Sequence, residues 1–176
     1  MKKIILSALV AVCAMTVNAQ VWVGGSLGFD VKDYEGSDES QSTISLKPEV
    51  GYTLNDNWDV AVALGFTSIS NADGVKDKNL TEFTINPYAR YTFAKAGIAS
   101  FFVDGGISYG SVKPKGGDAQ STFTISVRPG VKVALSEKIG LVSHLGSLGY
   151  KTVEDSYNQF GLGVDNMVDF GIYFGL

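Results

Sequence analysis

The chain has 176 residues, with 14 Lys and Arg against 18 Asp and Glu and a formal net charge of -4. That balance argues against nucleic acid as a partner, because a polyanion rewards clustered cations. The single cysteine, Cys13, falls in the N-terminal segment, so disulfides and thiolate metal sites are excluded from everything after it.

Residues 1–19 read as a cleaved secretory signal. Lys2 and Lys3 form a basic n-region, Ile4 to Met15 an apolar h-region, and Val17-Asn18-Ala19 a small-residue site with cleavage between Ala19 and Gln20. An apolar run of about a dozen residues is too short for a spanning helix, which needs about 20. Loss of two lysines and no acid takes the net charge from -4 to -6. Residues 20–176 are then a single domain.

The first predicted strand starts at Val21. Odd positions Val21, Val23, Leu27, Phe29 and Val31 are greasy, and even positions after Trp22 are Gly24, Ser26, Gly28 and Asp30. Successive strand side chains face opposite ways, so one face is apolar and the other small and polar. An acidic loop, 32–41, leads to Ile44, Leu46, Pro48, Val50, Tyr52 and Leu54 alternating with Ser45, Lys47, Glu49, Gly51 and Thr53. Asn55-Asp56-Asn57 is a tight turn. Strand three carries Trp58, Val60, Val62, Leu64 and Phe66, and a polar loop, 70–79, follows it. Strand four alternates Phe83, Ile85, Pro87, Ala89, Tyr91 and Phe93 with Glu82, Thr84, Asn86, Tyr88, Arg90 and Thr92.

The turn 94–97 opens strand five, with Phe101, Val103, Gly105, Ile107 and Tyr109 against Phe102, Asp104, Gly106 and Ser108. After loop 113–120, strand six places Phe123, Ile125, Val127, Pro129, Val131 and Val133 opposite Thr124, Ser126, Arg128, Gly130 and Lys132. Ser136-Glu137-Lys138 turns into Ile139 to Tyr150, the least regular strand. A polar loop from Lys151 to Gln159 precedes the last strand, with Phe160, Leu162, Val164, Val168, Phe170, Ile172, Phe174 and Leu176 on one face. No helical period survives after residue 20.

The pattern predicts an all-β fold: an eight-stranded antiparallel up-and-down transmembrane β-barrel. Strands of about 10 residues cross a bilayer when tilted, and short turns alternate with long polar loops, periplasmic and external respectively. A soluble eight-stranded barrel would also alternate, with its greasy face inside. Here the greasy set is bulky and the polar set small, which suits a narrow interior. The polar faces also hold few charges for a water-facing surface. Aromatics gather at both ends of the apolar faces, Phe29, Phe66 and Phe83 near the loops and Tyr52, Trp58 and Tyr91 near the turns. A phrase recurs as Thr43-Ile44-Ser45-Leu46-Lys47-Pro48, Thr84-Ile85-Asn86-Pro87 and Thr124-Ile125-Ser126-Val127-Arg128-Pro129, its prolines 39 and 42 residues apart. That is the spacing of a repeated long hairpin. Since proline forfeits a ladder hydrogen bond, a local bulge is expected at each.

On these features the chain from residue 20 resembles the small OmpA/OmpX-type outer-membrane barrels of Gram-negative bacteria, in their "porin family" form. The Asn18-Ala19-Gln20 junction and the ending Phe170-Gly171-Ile172-Tyr173-Phe174-Gly175-Leu176 are similar to those of many Bacteroidetes members. The resemblance implies an outer-membrane location and contact with outer-membrane lipids and lipopolysaccharide. It also implies recognition by the barrel-assembly machinery through Phe170, Ile172, Phe174 and Leu176. The family usually closes on an aromatic, which here lies two positions before the end. It spans adhesins, small pores and lipid-modifying enzymes, so it fixes no activity.

Candidate chemistry is sparse. His144, the only histidine, has Ser147 nearby, but on a regular strand the two have opposite parity, so a Ser-His pair is not expected and His144 reads as a lumen residue. Asp33, Glu35, Asp38 and Glu39 lack the ligand order of a calcium loop. No catalytic residue, metal or cofactor is assigned, and the external ligand is unknown. By parity the lumen receives Asp30, Glu49, Asp59, Glu82, Asp104, Asp165 and Asp169 against Lys47, Arg90, Arg128 and Lys132. Unpaired charges in a narrow interior are costly, so these should form a structural network. Arg90, Arg128 and Lys132 are expected within reach of Glu49, Asp104 and Asp169, with a guanidinium holding carboxylates, so that Arg128→Ala should lower thermal stability; Lys151 is expected in an outer loop. The functional expectation is a structural or surface-interaction barrel with a plugged lumen. A small diffusion channel is the alternative, and a lipid-modifying enzyme stands third.

Overall fold

The computed structural model describes residues 21–37, 39–154, 157–163 and 169–175. The signal junction Ala19–Gln20, Asp165 and Leu176 lie outside the described residues, as do the side chains of Asp169 and Phe170. Ten strands close into one ring of eight staves: β1 (Val21–Lys32), β2 (Gln41–Thr53), β3 (Trp58–Ser70), β4 (Leu80–Ala96), β5 (Ala99–Pro114), β6 (Gln120–Ala134), β7 (Ile139–His144), β8 (Ser147–Val153), β9 (Tyr157–Gly163) and β10 (Asp169–Gly175). Each neighbour pair is antiparallel, and β10 pairs with both β1 and β7, which shuts the ring. A closed ring leaves no edge carrying unpaired backbone groups, the condition for crossing hydrocarbon.

The greasy face points out. Leu27, Phe29, Ile44, Leu46, Leu64, Phe66, Phe83 and Ile85 are all exposed, whereas Ala61, Ala63, Tyr88, Phe102 and Tyr173 are buried within. The first six staves run 12 to 17 residues, longer than the expected ten. They extend past the apolar band and carry the hairpins beyond it. The first two loops are tied together: Ser37 Oγ donates to the Gly74 carbonyl, Asn71 Nδ2 to Glu39 (3.3 Å), and the Asp73 amide to Gln41 (3.0 Å). Asn71, Asp73 and Asp77 adopt left-handed backbone angles there, which short polar side chains tolerate.

The expected bulge appears at one proline of three. Around Pro48 the β2–β3 pairing lapses between Leu46↔Phe66 and Glu49↔Ala63 and resumes in the same register; around Pro87 the β4–β5 pairing does likewise. With Nδ2 turned to the wall, the Asn86 amide donates to the carbonyls of Pro87 and Ile107, each at 3.3 Å, replacing the donor that proline lacks. At Pro129 the register does shift, from Gly130↔His144 to Val127↔Leu148, so two residues of β6 face three of its partner. The Leu145 amide caps the Pro129 carbonyl at 2.9 Å. This bulge divides the seventh stave into β7 and β8 and reverses facing parity across it.

A ring closed by backbone bonds resists detergent until heated. Unboiled protein in a dodecyl sulfate gel should therefore run as a compact band that shifts after boiling. Identical mobility with and without boiling would contradict a closed ring.

Candidate functional site

The lumen is built from the even positions of β1 and β4 to β6 and the odd positions of β2 and β3, as alternation dictates. Its two halves differ. Toward the tight turns it is filled by large side chains centred on Asp104 of β5. Arg90 of β4 sits beside it in register and donates Nε to Oδ1 (2.7 Å) and Nη2 to Oδ2 (2.8 Å), with side chains 3% and 1% exposed. His144 Nε2 lies 2.8 Å from the same Oδ2, and Arg128 Nη2 lies 3.8 Å from it. One carboxylate thus gathers three cationic or imidazole groups. A bidentate, charge-assisted pair of this kind is both strong and rigid.

Aromatic rings enclose the Arg90 guanidinium. Its central carbon is 3.9 Å from the Phe102 ring centre, 5.6 Å from both Tyr88 and Tyr173, and 6.0 Å from Trp22. The negative faces of these rings offset part of the cost of desolvating the cation. Tyr88 and Tyr173 donate their hydroxyls to Glu49 Oε2 at 2.6 and 2.9 Å, so the acid above the cage is held by phenols rather than by arginine.

Each ring lies in register across from an inward glycine on the next strand: Trp22 from Gly51, Tyr88 from Gly106, Phe102 from Gly130, Tyr173 from Gly24. The small residue makes room for the large one, so an eight-stranded interior can hold four aromatic side chains.

Several expected site residues fall elsewhere. Arg128 is 21% exposed; its one ion pair with a described residue is the 3.8 Å contact to Asp104, both of whose oxygens Arg90 occupies, and its guanidinium carbon lies 5.8 Å from the Tyr88 ring centre. Lys151 is not in an outer loop but within β8, facing inward, with Nζ 4.0 Å from Glu82 Oε1. Lys132 is inward and half-buried near the turn end, where it makes no ion pair with a described residue; its neighbour Asp59 accepts from Thr53 Oγ1 at 2.6 Å. Lys47 is inward and half-buried, and Asp30 pairs loosely with Lys32 at the rim (3.9 Å). Of the assembly residues, Ile172 and Phe174 point outward and are exposed.

The parity argument separating His144 from Ser147 fails, because the bulge lies between them and both face the lumen. The imidazole is nevertheless bonded to Asp104 and stacked edge-on to Phe102 at 5.5 Å. The sequence offered one sign of this role: His144 is the lone imidazole at a mid-stave inward position. The four rings gave only their inward parity as a sign, because their pairing with glycines depends on the register between strands.

A model of the outer membrane protein beta-barrel domain matches residues 4–175. The crystal structure of Neisserial surface protein A superposes with a TM-score of 0.59 at 16% identity, covering 90% of this chain and 98% of that one. The Yersinia pestis outer membrane protein Ail in a phospholipid nanodisc gives 0.53 at 15%, covering 90% and 100%. The N-terminal barrel domain of Pseudomonas aeruginosa OprF gives 0.53 at 15%, covering 90% and 98%. At these identities the likeness is one of fold. No curated protein sequence matches the chain.

Proposed function

This chain belongs to the outer membrane protein beta-barrel family, and we propose that it serves there as a structural or surface-interaction barrel whose lumen is closed by side chains. It resides in the outer membrane of a Gram-negative cell. The observation that carries the closed lumen is the Arg90–Asp104 pair, bidentate and almost wholly buried at mid-barrel. The four rings and His144 stand around it, which supports a filled interior at this level. A conducting pore instead needs a wet interior, and eight strands are just wide enough for side chains to fill.

The same burial argues against catalysis by His144, whose Nε2 is engaged and whose ring is walled by Phe102. Residues 1–19 act as the export signal in this reading. The tight turns face the periplasm and the tied loops face outward, where an interaction role would be exercised. Outward Ile172 and Phe174 remain available to the assembly machinery along the closing strand.

Planar-bilayer recording tests the closed lumen. Refolded wild-type protein should give no steady single-channel current in 1 M KCl, with ordinary membrane capacitance and noise. A stable, salt-dependent conductance from the unmutated chain would put the diffusion channel in its place.

A further inference from the structure

The outward wall is uneven on one side of the barrel. Across β2 to β5 its middle rows carry small side chains: Val50, Val62 and Pro87 stand in register, and so do Val60, Ala89 and Gly105. Toward the loops the next rows are bulky, with Leu64, Ile85 and Tyr109 in one and Leu46, Phe66 and Phe83 in another. Toward the turns Trp58 and Tyr91 close the other side, their ring centres 4.8 Å apart. Between the two ridges lies an apolar trough of about 670 Å³ that reaches from β1 to β5. That volume falls within the range of small-molecule sites.

Its position says what meets it. Trp and Tyr mark membrane interfaces, so a trough on the loop side of the Trp58–Tyr91 pair lies in the hydrocarbon of the turn-side leaflet. Strands lie about 4.8 Å apart, so five of them give the trough a length of about 19 Å. One leaflet holds about 15 Å of hydrocarbon, which one acyl chain crosses, so a chain lying obliquely fills that length. A second copy of the barrel would bring a convex wall that bridges the ridges and leaves the floor empty. Lipid tails are as apolar as the wall, so no hydrophobic gain selects a site there. Close packing does, and a recess offers a chain more partner atoms than a flat wall. A charge completes the arrangement. Lys95, exposed on the turn side of the aromatic pair, donates Nζ to the Asp56 carbonyl at 2.9 Å and makes no ion pair with a described residue. Its cation stands at the level of the lipid phosphates.

We propose that this trough retains one glycerophospholipid of the turn-side leaflet, with an acyl chain along the small residues and the phosphate on Lys95. The site is separate from a surface role of the loops, because it fixes a lipid to the wall at the opposite end of the barrel. Gly105 is its most open position. A Cβ there meets nothing within 4 Å, so a large side chain would fill the floor without pressing on the barrel.

Native mass spectrometry of the full barrel, refolded in maltoside micelles with palmitoyl-oleoyl phosphatidylethanolamine, tests this. One phospholipid per barrel should persist as excess lipid is diluted away. Gly105→Phe should abolish that adduct while keeping the heat-modifiable band. Ala89→Leu, a smaller filling of the same floor, serves if the first variant does not fold. Ile44→Phe, outward but beyond the loop-side ridge, should retain the adduct. Lys95→Ala should weaken retention about fivefold, the worth of one hydrogen bond. Dioleoylglycerol, which lacks the phosphate, should be held by the wild type no better than the phospholipid is by Lys95→Ala. Equal retention by the wild type and the filled variants would show a non-selective lipid coat and overturn the proposal. So would unchanged retention in Lys95→Ala, or lipid-free barrel dimers that Gly105→Phe disperses.

Discussion

Replacing Asp104 by alanine will cost about 3–5 kcal/mol of barrel stability, the range for leaving buried charge without its counterion. Arg90 would keep its burial and lose both of its strong bonds, while Arg128 and His144 would face it with no anion between them. Urea unfolding of the refolded protein, followed by the heat-modifiable band or tryptophan emission, reads the loss as a lower midpoint.

The cluster also predicts an order among its members. Arg90→Ala should approach the loss seen for Asp104→Ala, since it leaves the acid with one imidazole and one distant guanidinium. Arg128→Ala should cost at most about 1 kcal/mol, because its ion pair to Asp104 is 3.8 Å long and partly open to water. Pairing Asp104→Leu with Arg90→Met should recover part of the loss, as apolar replacement of a buried pair commonly does. Equal midpoints for Arg90→Ala and Arg128→Ala would show that the bidentate geometry does not govern the interior.

Alternation made the ring, its inward and outward faces and the membership of the lumen readable, because a strand's two-residue period leaves only one choice per stave once the bulky face is assigned outward. Parity alone thereby assigns Glu49, Arg90, Asp104 and Arg128 to the lumen. Which acid meets which base was not readable. Partner choice depends on stagger between strands, and Arg90 reaches Asp104 because β4 and β5 pair at Arg90↔Asp104, a register that parity does not specify.

Lys151 was misplaced for a related reason. Polar residues at the loop end look like loop even when they line the lumen, and β8 carries the wall through Val153. The prolines misled through an assumption of uniformity. An adjacent donor mends the ladder at Pro87, whereas at Pro129 the facing strand has Gly146 and takes an extra residue. That one insertion moves Ser147 to the lumen side with His144, which a reading that assumes unbroken strands cannot foresee.

The pairing of rings with glycines gives the second large expectation, and it can be made selective. A Cβ added at Gly51 would lie 2.1 Å from the Trp22 indole, closer than real contacts allow, and the three nearest atoms it would meet all belong to that ring. Gly51→Val should therefore displace Trp22 from beside Tyr173, whose ring centre is 4.9 Å away, and disturb the cage around Arg90. Overpacking of this kind costs about 1–3 kcal/mol, to which the lost ring contacts add.

Gly105→Val on the same barrel is the control, since its Cβ points outward and meets nothing within 4 Å; its unfolding midpoint should not fall. Trimming the clashing ring should rescue the first variant: Trp22→Ala with Gly51→Val should be more stable than the sum of the two single changes. No such rescue is expected at Gly130. There a Cβ meets the Ser143 carbonyl at 2.6 Å as well as the Phe102 ring at 2.4 Å, and backbone cannot be trimmed. Rescue at Gly130 by Phe102→Ala, or its absence at Gly51, would mean that the rings do not owe their places to the glycines across from them.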